Sequence, residues 1–242
     1  MLVLFTDFGL AGPYTGQMKA VLHHEAPGVP VVDLFADAPR FDPEAAAYLL
    51  AAYAPEMPAD TVFVCVVDPG VGTERAALAL QADGRWFVGP DNGLMAIAAK
   101  HARSAMWYRI VWRPERLSAS FHGRDLFAPT AARLATGHDA GLEPVHNAMA
   151  LVGADWPDDL DRIAYVDVYG NAMIGRRAVT LPAAATAVVG GTRIARRRTF
   201  AEAGPGAPLW YENANGLAEI AVNGGSAAER LGLGVGTRVA WT

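Results

Sequence analysis

Cysteine is almost missing from this chain: Cys65 is the only thiol in 242 residues. One thiol permits no internal disulfide and no cysteine-based metal cage, and it points to a reducing compartment. Basic charge is also short. Lysine and arginine number 20 against 25 acidic residues, a formal net charge of −5, whereas a dedicated DNA or RNA scaffold carries the opposite balance. No run reaches about 18 uninterrupted apolar residues, so no membrane span is expected. The chain opens on an apolar stretch, Leu2 to Phe5, without the basic segment and long apolar core of a signal peptide. The expected location is the cytoplasm. Histidine pairs at zinc-protease spacing, a Gly-x-Ser-x-Gly elbow and a Walker loop are all lacking, and no metal site or cofactor is expected.

What is there reads as globular. Hydrophobic residues make up 52% and charged residues 19%, which excludes wholesale disorder. The first half alternates strand and helix patterns. Apolar, β-branched runs at 2–5, 31–35 and 61–67 read as buried strands, and residues 76–81 and 86–89 as a hairpin. Helices are predicted over 14–24, 43–54, 92–100 and 129–136. This order indicates an α/β domain with a largely parallel central sheet. Residues 137–161, rich in Asp, Gly and Pro, read as a linker. Beyond it, short β-branched runs at 163–168, 178–180, 186–189, 208–211, 217–222 and 238–241 predict a smaller all-β domain, a barrel or sandwich. The expected division is residues 1–150 and 151–242.

Ligands of open α/β sheets bind beyond the carboxyl ends of the strands. Four polar clusters fall on such ends or on following loops: Thr6-Asp7-Phe8-Gly9, Asp68-Pro69-Gly70-Val71-Gly72, Gly89-Pro90-Asp91-Asn92-Gly93 and Phe121-His122-Gly123-Arg124-Asp125. Each pairs a charged residue with a glycine that lets backbone approach a ligand. Singly, each also has a plain structural reading. Asp7 reads as the cap of the next helix, Pro90 to Gly93 as a turn, and His122 as a satisfied structural histidine. Arg193, Arg196, Arg197 and Arg198 form the one dense basic run, either a nucleic-acid patch or charges blunting a sheet edge.

Taken together, the clusters resemble the S-adenosylmethionine (SAM) hydroxide adenosyltransferases, or SAM hydrolases, which are homologous to the SAM-dependent fluorinases and chlorinases. The matching stretches are Thr6 to Gly9 with Tyr14-Thr15-Gly16, Val67 to Thr73, Gly89 to Gly93, and Phe121 to Asp125 with Phe127-Ala128-Pro129. In the second half they are Asp167-Val168-Tyr169-Gly170-Asn171 and Asn213-Ala214-Asn215-Gly216 with Glu219-Ile220-Ala221. The resemblance implies an N-terminal α/β domain, a C-terminal β-barrel and a homotrimer, with SAM between the N-terminal domain of one subunit and the C-terminal domain of its neighbour.

By the same resemblance Asp7 would hold the ribose hydroxyls, and Phe8 and Tyr14 would also bind the substrate. Asp167 and Asn171 would contact the methionine part, Tyr169 would pack on the substrate, and Asn215 would meet the amino-acid end. Phe200 and the backbone near Asn223 and Gly224 would form the adenine pocket. The hydrolases carry an Asp-Arg-His set, here Asp68, Arg75 and His122. The halogenases carry a tyrosine at the position of Asp68 and a halide-binding serine at about Gly123. The implied reaction is in-line attack of water on ribose C5′, releasing adenosine and methionine. Arg75 would stabilise charge on the nucleophile, and either Asp68 or His122 would take the proton. The competing readings are a SAM-dependent halogenase, a non-catalytic SAM or adenosine binder, and an RNA-binding protein using the arginine run.

Overall fold

The computed structural model describes residues 1–242. Its backbone separates into two compact units, Met1–Trp156 and Pro157–Thr242. No helix is long and apolar enough to cross a membrane.

The N-terminal unit is built on seven strands: β1 (Leu2–Thr6), β2 (Val31–Phe35), β3 (Val62–Val66), β4 (Ala77–Ala82), β5 (Arg85–Pro90), β6 (Ala105–Ile110) and β7 (Leu142–Pro144). They run in the order β2-β1-β3-β5-β4-β6-β7. The first four in that order are mutually parallel, and the remainder of the sheet is antiparallel. Helices α1 (Tyr14–Glu25), α2 (Pro43–Tyr53), α3 (Ala96–His101) and α4 (Ala128–Ala135) accompany it.

Strand alternation explains how both faces of the sheet are covered. Leu2 and Leu4 of β1 pack with Met18 and Leu22 of α1 and with Ala128 and Ala131 of α4. Phe5 points the other way, onto Phe35 at 5.2 Å between ring centroids, and Phe35 meets Tyr53 of α2 at 5.1 Å. Asp42 caps α2 by accepting from the Ala45 N–H at 3.0 Å, with Pro43 at the first helical position, a start signal visible in the sequence. The β4–β5 hairpin turns on Asp83 and Gly84, both at positive φ. Two consecutive positive-φ residues are what a tight hairpin of the right twist requires.

Several expectations need correction. Residues 137–161 are not a free linker: Leu142–Pro144 pairs with β6 as the sheet edge, and the Trp156 ring lies against Gly93. Strand β6 was hidden because its inward and outward positions do not alternate cleanly, and only Ile110 is fully buried. The helix predicted from residue 92 begins at Ala96, because Asn92 turns the chain first: its side chain accepts from the Leu94 N–H and donates to the Val67 carbonyl.

The C-terminal unit holds β8 (Ile163–Val166), β9 (Ala172–Arg177), β10 (Thr186–Val189), β11 (Thr192–Ala195), β12 (Pro208–Glu212), β13 (Leu217–Val222) and β14 (Ala240–Trp241), with one short helix, α5 (Ala227–Leu231). The strands form two antiparallel sheets, β12-β13-β9-β8 and β11-β10-β14. Single bridges Arg196–Trp210 and Arg162–Arg238 connect their edges. Trp210 is fully buried and donates its indole N–H to the Ala185 carbonyl at 2.9 Å. Residues 178–180, expected as a strand, form a 3-10 turn instead. The β-branched residues that suggested a strand, Val179 and Thr180, are exposed on this turn, and only Ala178 is buried. Strands β9 and β11 carry no clear strand signal in the sequence, because arginines and glycine interrupt their apolar pattern.

Gly93 has φ +89, and a Cβ there would lie 2.2 Å from the Trp156 ring. The expected outcome of Gly93→Ala is a loss of about 1–3 kcal/mol from overpacking, read as a lower urea midpoint with unchanged slope. An unchanged midpoint would show that Trp156 moves aside freely.

Candidate active site

Strand register brings the first two polar clusters together. Thr6 pairs with Val66 across the parallel β1–β3 contact, so Asp7 and Asp68 leave the same edge of the sheet, one and two residues further on. Parallel neighbours with a common carboxyl end place their loops side by side. A cavity of about 450 Å³ opens there, lined by Asp7, Phe8, Tyr14, Asp68, His122 and Gly123 together with Arg40, Phe41, Val71 and Phe121.

Asp68, on the lining of this cavity, is paired with Arg75. Arg75 Nε donates to Asp68 Oδ1 at 2.7 Å, and a second guanidinium nitrogen donates to Asp68 Oδ2. The Arg75 and Asp68 side chains are almost fully withdrawn from solvent, at 9% and 4% exposure. The planar fork of arginine matches a carboxylate in this two-point way. The loop between them needs Gly72, whose φ is +83 and whose Cβ would sit 2.4 Å from the Ala119 carbonyl oxygen. The Arg75 guanidinium also lies 5.5 Å from the Phe127 ring centroid.

His122 joins this pair from 47 residues away. Its Nδ1 lies 3.2 Å from an Arg75 guanidinium nitrogen. Arginine only donates, so Nδ1 is the acceptor and the imidazole proton sits on Nε2. Burial, reinforced by the Arg75 charge, lowers the His122 pKa from its ordinary value. The ring is therefore neutral at pH 7. A tight π-turn at Gly123–Phe127 leads from His122 into α4. Arg124 fastens that turn by bonding Asp125 and the Gln17 side chain, while Asp125 accepts from the Ser118 N–H. Arg124 and Asp125 are thus braces for His122.

Asp7 is not a helix cap. Helix α1 follows Pro13 with no side-chain cap, and Asp7 instead accepts from the Phe41 N–H at 3.3 Å. Burial raises its pKa, with the nearby Asp68 charge acting in the same direction. Phe41 holds φ +58 without being glycine, a strained conformation that aims its amide at Asp7. Phe41 and Arg40 were missed in the sequence. The signal there was absorbed by the capping motif of α2 that follows directly. Phe8, Tyr14 and Phe121 meet edge to face or tilted, with centroids 5.4 to 5.7 Å apart, and form an aromatic wall. Pro90 to Gly93 do not line the cavity. Asp91 accepts from the Val152 N–H, and Asn92 holds the Val67 carbonyl just before Asp68, so this cluster supports the site from behind.

The remaining predicted residues lie in the C-terminal unit. Asp167 closes the β8–β9 turn: it accepts from the backbone N–H of Tyr169 and of Asn171 and from the Asn171 amide, at 2.8 to 3.0 Å. Val168 and Tyr169 stand exposed at its tip, at 88% and 75%. Asn215 lies in the β12–β13 turn, where its N–H donates to Asn213 Oδ1. Phe200 rests on Tyr211 at 5.3 Å. Asn223 donates to the Ala203 carbonyl, holding the segment after Phe200, and Gly224 beside it has open space at its Cα. The arginine run lies on β11 and the loop after it, with Arg196 paired to Glu212 and stacked 4.9 Å from the Trp210 centroid.

A parallel-sheet edge carrying a buried Asp–Arg pair, a neutral histidine and an aromatic wall defines a class of enzyme-like α/β proteins with a charged, aromatic-walled cavity. Comparison with known proteins narrows this. Residues 2–142 match the SAM hydroxide adenosyltransferase N-terminal domain and residues 161–240 the C-terminal domain, so the chain belongs to the SAM hydroxide adenosyltransferase family. It is 42% identical to a Thermus thermophilus protein named (R)-S-adenosyl-L-methionine hydrolase, covering 97% of this chain and 96% of that one. A Salinispora arenicola protein of the same name is 38% identical, with coverage of 97% and 94%. A Nocardia brasiliensis fluorinase is 24% identical over 62% of this chain and 58% of its own. Among solved structures, one from Thermotoga maritima superposes with a TM-score of 0.87 at 28% identity, and one from Thermus thermophilus with 0.78 at 40%. Each covers 100% of this chain and 99% of its own.

The neutral His122 has a direct spectroscopic reading. Its ¹⁵N shifts at pH 7 are expected to show Nε2 protonated, with titration below the ordinary histidine value of 6.5. The folded state then binds this proton less tightly than the unfolded chain, so stability drops as pH falls through and below about 6.5. A charged imidazole at pH 7 would contradict the geometry.

Proposed function

We propose that this protein hydrolyses S-adenosyl-L-methionine to adenosine and L-methionine, with Asp68, Arg75 and His122 as the reacting set. The observation that carries the reading is that Asp68, Arg75 and the distant His122, 47 residues beyond Arg75, form one hydrogen-bonded chain at an aromatic-lined cavity. The cavity suits a sulfonium nucleoside. Asp7 offers carboxylate oxygens to ribose hydroxyls, and the rings of Phe8, Tyr14 and Phe121 with the Asp68 carboxylate favour a cation.

The step balances without a metal or a redox cofactor. A water oxygen forms a bond to C5′ while the C5′–S bond breaks, and that electron pair stays on sulfur, which leaves as the neutral thioether of methionine. The water oxygen becomes strongly acidic as the new bond forms, so a carboxylate suffices to accept its proton. Asp68 fits that role better than His122. Each Asp68 oxygen accepts one N–H from Arg75 and keeps a second lone pair, whereas the basic nitrogen of His122 is occupied by Arg75. His122 presents Nε2–H and orients the water. Attack of neutral water moves the positive charge from sulfur to oxygen, and that charge is cancelled as Asp68 takes the proton, a cancellation that a site shielded from bulk water favours.

The C-terminal unit supplies the other contacts in this reading: Asp167, Tyr169 and Asn171 toward the methionine part, Asn215 at the amino-acid end, and Phe200 with Asn223 and Gly224 at adenine. Its strands close into a barrel, an arrangement supported by the two edge bridges. The working form is a homotrimer in the cytoplasm, with SAM held between the N-terminal unit of one subunit and the C-terminal unit of another. Exposed Leu10 and Phe41 in one unit, and Val168 and Tyr169 in the other, are apolar groups that such assembly would cover. Asp68 in place of tyrosine and Gly123 in place of serine argue against halide as nucleophile.

Product analysis in ¹⁸O-water tests the reaction. Label is expected in the 5′ oxygen of adenosine, with the (R) sulfonium epimer consumed first, as the names of the relatives imply. A 5′-halo-adenosine as main product in chloride or fluoride would overturn it. Arg75→Ala is expected to lower turnover by about 10²–10⁴-fold, the scale of acid–base assistance, while SAM still binds.

A further inference from the structure

Glu219 is a carboxylate that the reaction does not use. It lies on β13, in the interior of the four-stranded sheet, and is 2% exposed. A carboxylate in that setting is costly unless its oxygens are hydrogen-bonded. Both are. The Tyr211 hydroxyl, on the residue directly opposite across the β12–β13 pairing, donates to Oε1. Asn213 Nδ2 donates to Oε2 at 2.9 Å.

Each partner leads to a different part of the surface that the proposed function assigns to substrate. Asn213 Oδ1 accepts from the N–H of Asn215 and of Leu217, both at 3.0 Å. That oxygen assignment leaves the amide nitrogen for Glu219, so the carboxylate fixes which way Asn213 faces. The Asn213 backbone N–H bonds the Leu217 carbonyl, and Gly216 N–H bonds the Asn213 carbonyl. The whole turn carrying Asn215 is thus rooted in Asn213. On the other side, the Tyr211 ring supports Phe200 at 5.3 Å. Burial raises the Glu219 pKa, with the Asp167 charge adding to it, in keeping with a group shut away from ligand and solvent.

We propose that Glu219 is a positioning residue for SAM: one buried carboxylate orients both Asn213, which shapes the Asn215 turn, and Tyr211, which seats Phe200. It thereby couples the methionine end of the contact surface to the adenine end. This rests on the reading of Asn215 and Phe200 as substrate contacts.

The experiment is steady-state kinetics on the full chain, with calorimetric binding of adenosine and of methionine separately. Glu219→Ala is expected to raise KM for SAM about tenfold, the worth of one charge-assisted hydrogen bond, with kcat changed much less and both fragments bound more weakly. Tyr211→Phe keeps the ring but loses the donor, and weakens adenosine alone. Asn213→Ala weakens methionine alone. Glu219→Gln recovers most of the affinity, because its amide oxygen accepts from Asn213 and its N–H donates to the tyrosine oxygen. An unchanged KM in a folded Glu219→Ala overturns the proposal. If that variant does not fold, the absence of the fragment-specific split in Tyr211→Phe and Asn213→Ala overturns it instead. Asn215→Ala and Phe200→Ala separate the two levels. If they raise KM and Glu219→Ala does not, positioning alone fails. If neither raises KM, the contact reading fails and the positioning role goes with it.

Discussion

The Asp68–Arg75 pair is the constraint around which the N-terminal unit is organised. Removing a carboxylate and a guanidinium from water carries a desolvation cost of several kcal/mol for each ion. Only a two-point pairing with further partners makes such burial tolerable, and the surrounding structure is arranged to provide it. β3 delivers Asp68 at a fixed height beside Asp7. Gly72 lets the loop fold back tightly enough for Arg75 to return to Asp68. Asn92 holds the carbonyl of Val67 next to it. His122 then takes its orientation and its tautomer from Arg75, so the pair decides the state of the third member.

That dependence changes how the three residues divide the chemistry. A histidine beside an aspartate is often read as the base. Here the guanidinium stands between them, occupies the basic nitrogen of the ring and lowers its affinity for a proton. Asp68 lines the cavity, and each of its oxygens accepts a single N–H from Arg75, which is why the proposed reaction gives it the proton. The kinship with fluorinases has a physical sense in this setting. In the proposed reaction the nucleophile is water and the site must take a proton from it, whereas a halide would call for a site built to hold an anion.

The C-terminal unit solves a different problem, that of giving exposed turns a defined shape. Asp167 and Asn213 each accept from two backbone N–H groups, the way short polar side chains imitate the backbone in turns. Gly170, with φ +80 and Ser226 packed against its Cα, admits no side chain. Rigid turns lose less entropy when a ligand settles on them, and Glu219 carries this order into the sheet.

Local chemistry was legible along the chain. The apolar β-branched runs of β1 and β3, the Pro43 start of α2 and the Asp83-Gly84 turn announce themselves because each depends on neighbours a few residues away. The polar clusters at strand ends were visible for the same reason, as was the set Asp68, Arg75 and His122 through its family resemblance. Strands β6, β7, β9 and β11 were not, since a strand's pairing energy comes from residues distant in sequence and arginines or proline break its pattern. By itself, then, the sequence determined the class of fold, the change of character in its second half and the residue types available for chemistry. Only the tertiary structure decided that Asp7 faces a cavity and not a helix end, that Arg124 and Asp125 brace the site, that His122 is neutral with its proton on Nε2, and that Glu219 ties Tyr211 to Asn213. These are matters of burial and of hydrogen-bond partnership across tens of residues, and neither exists until the chain has folded.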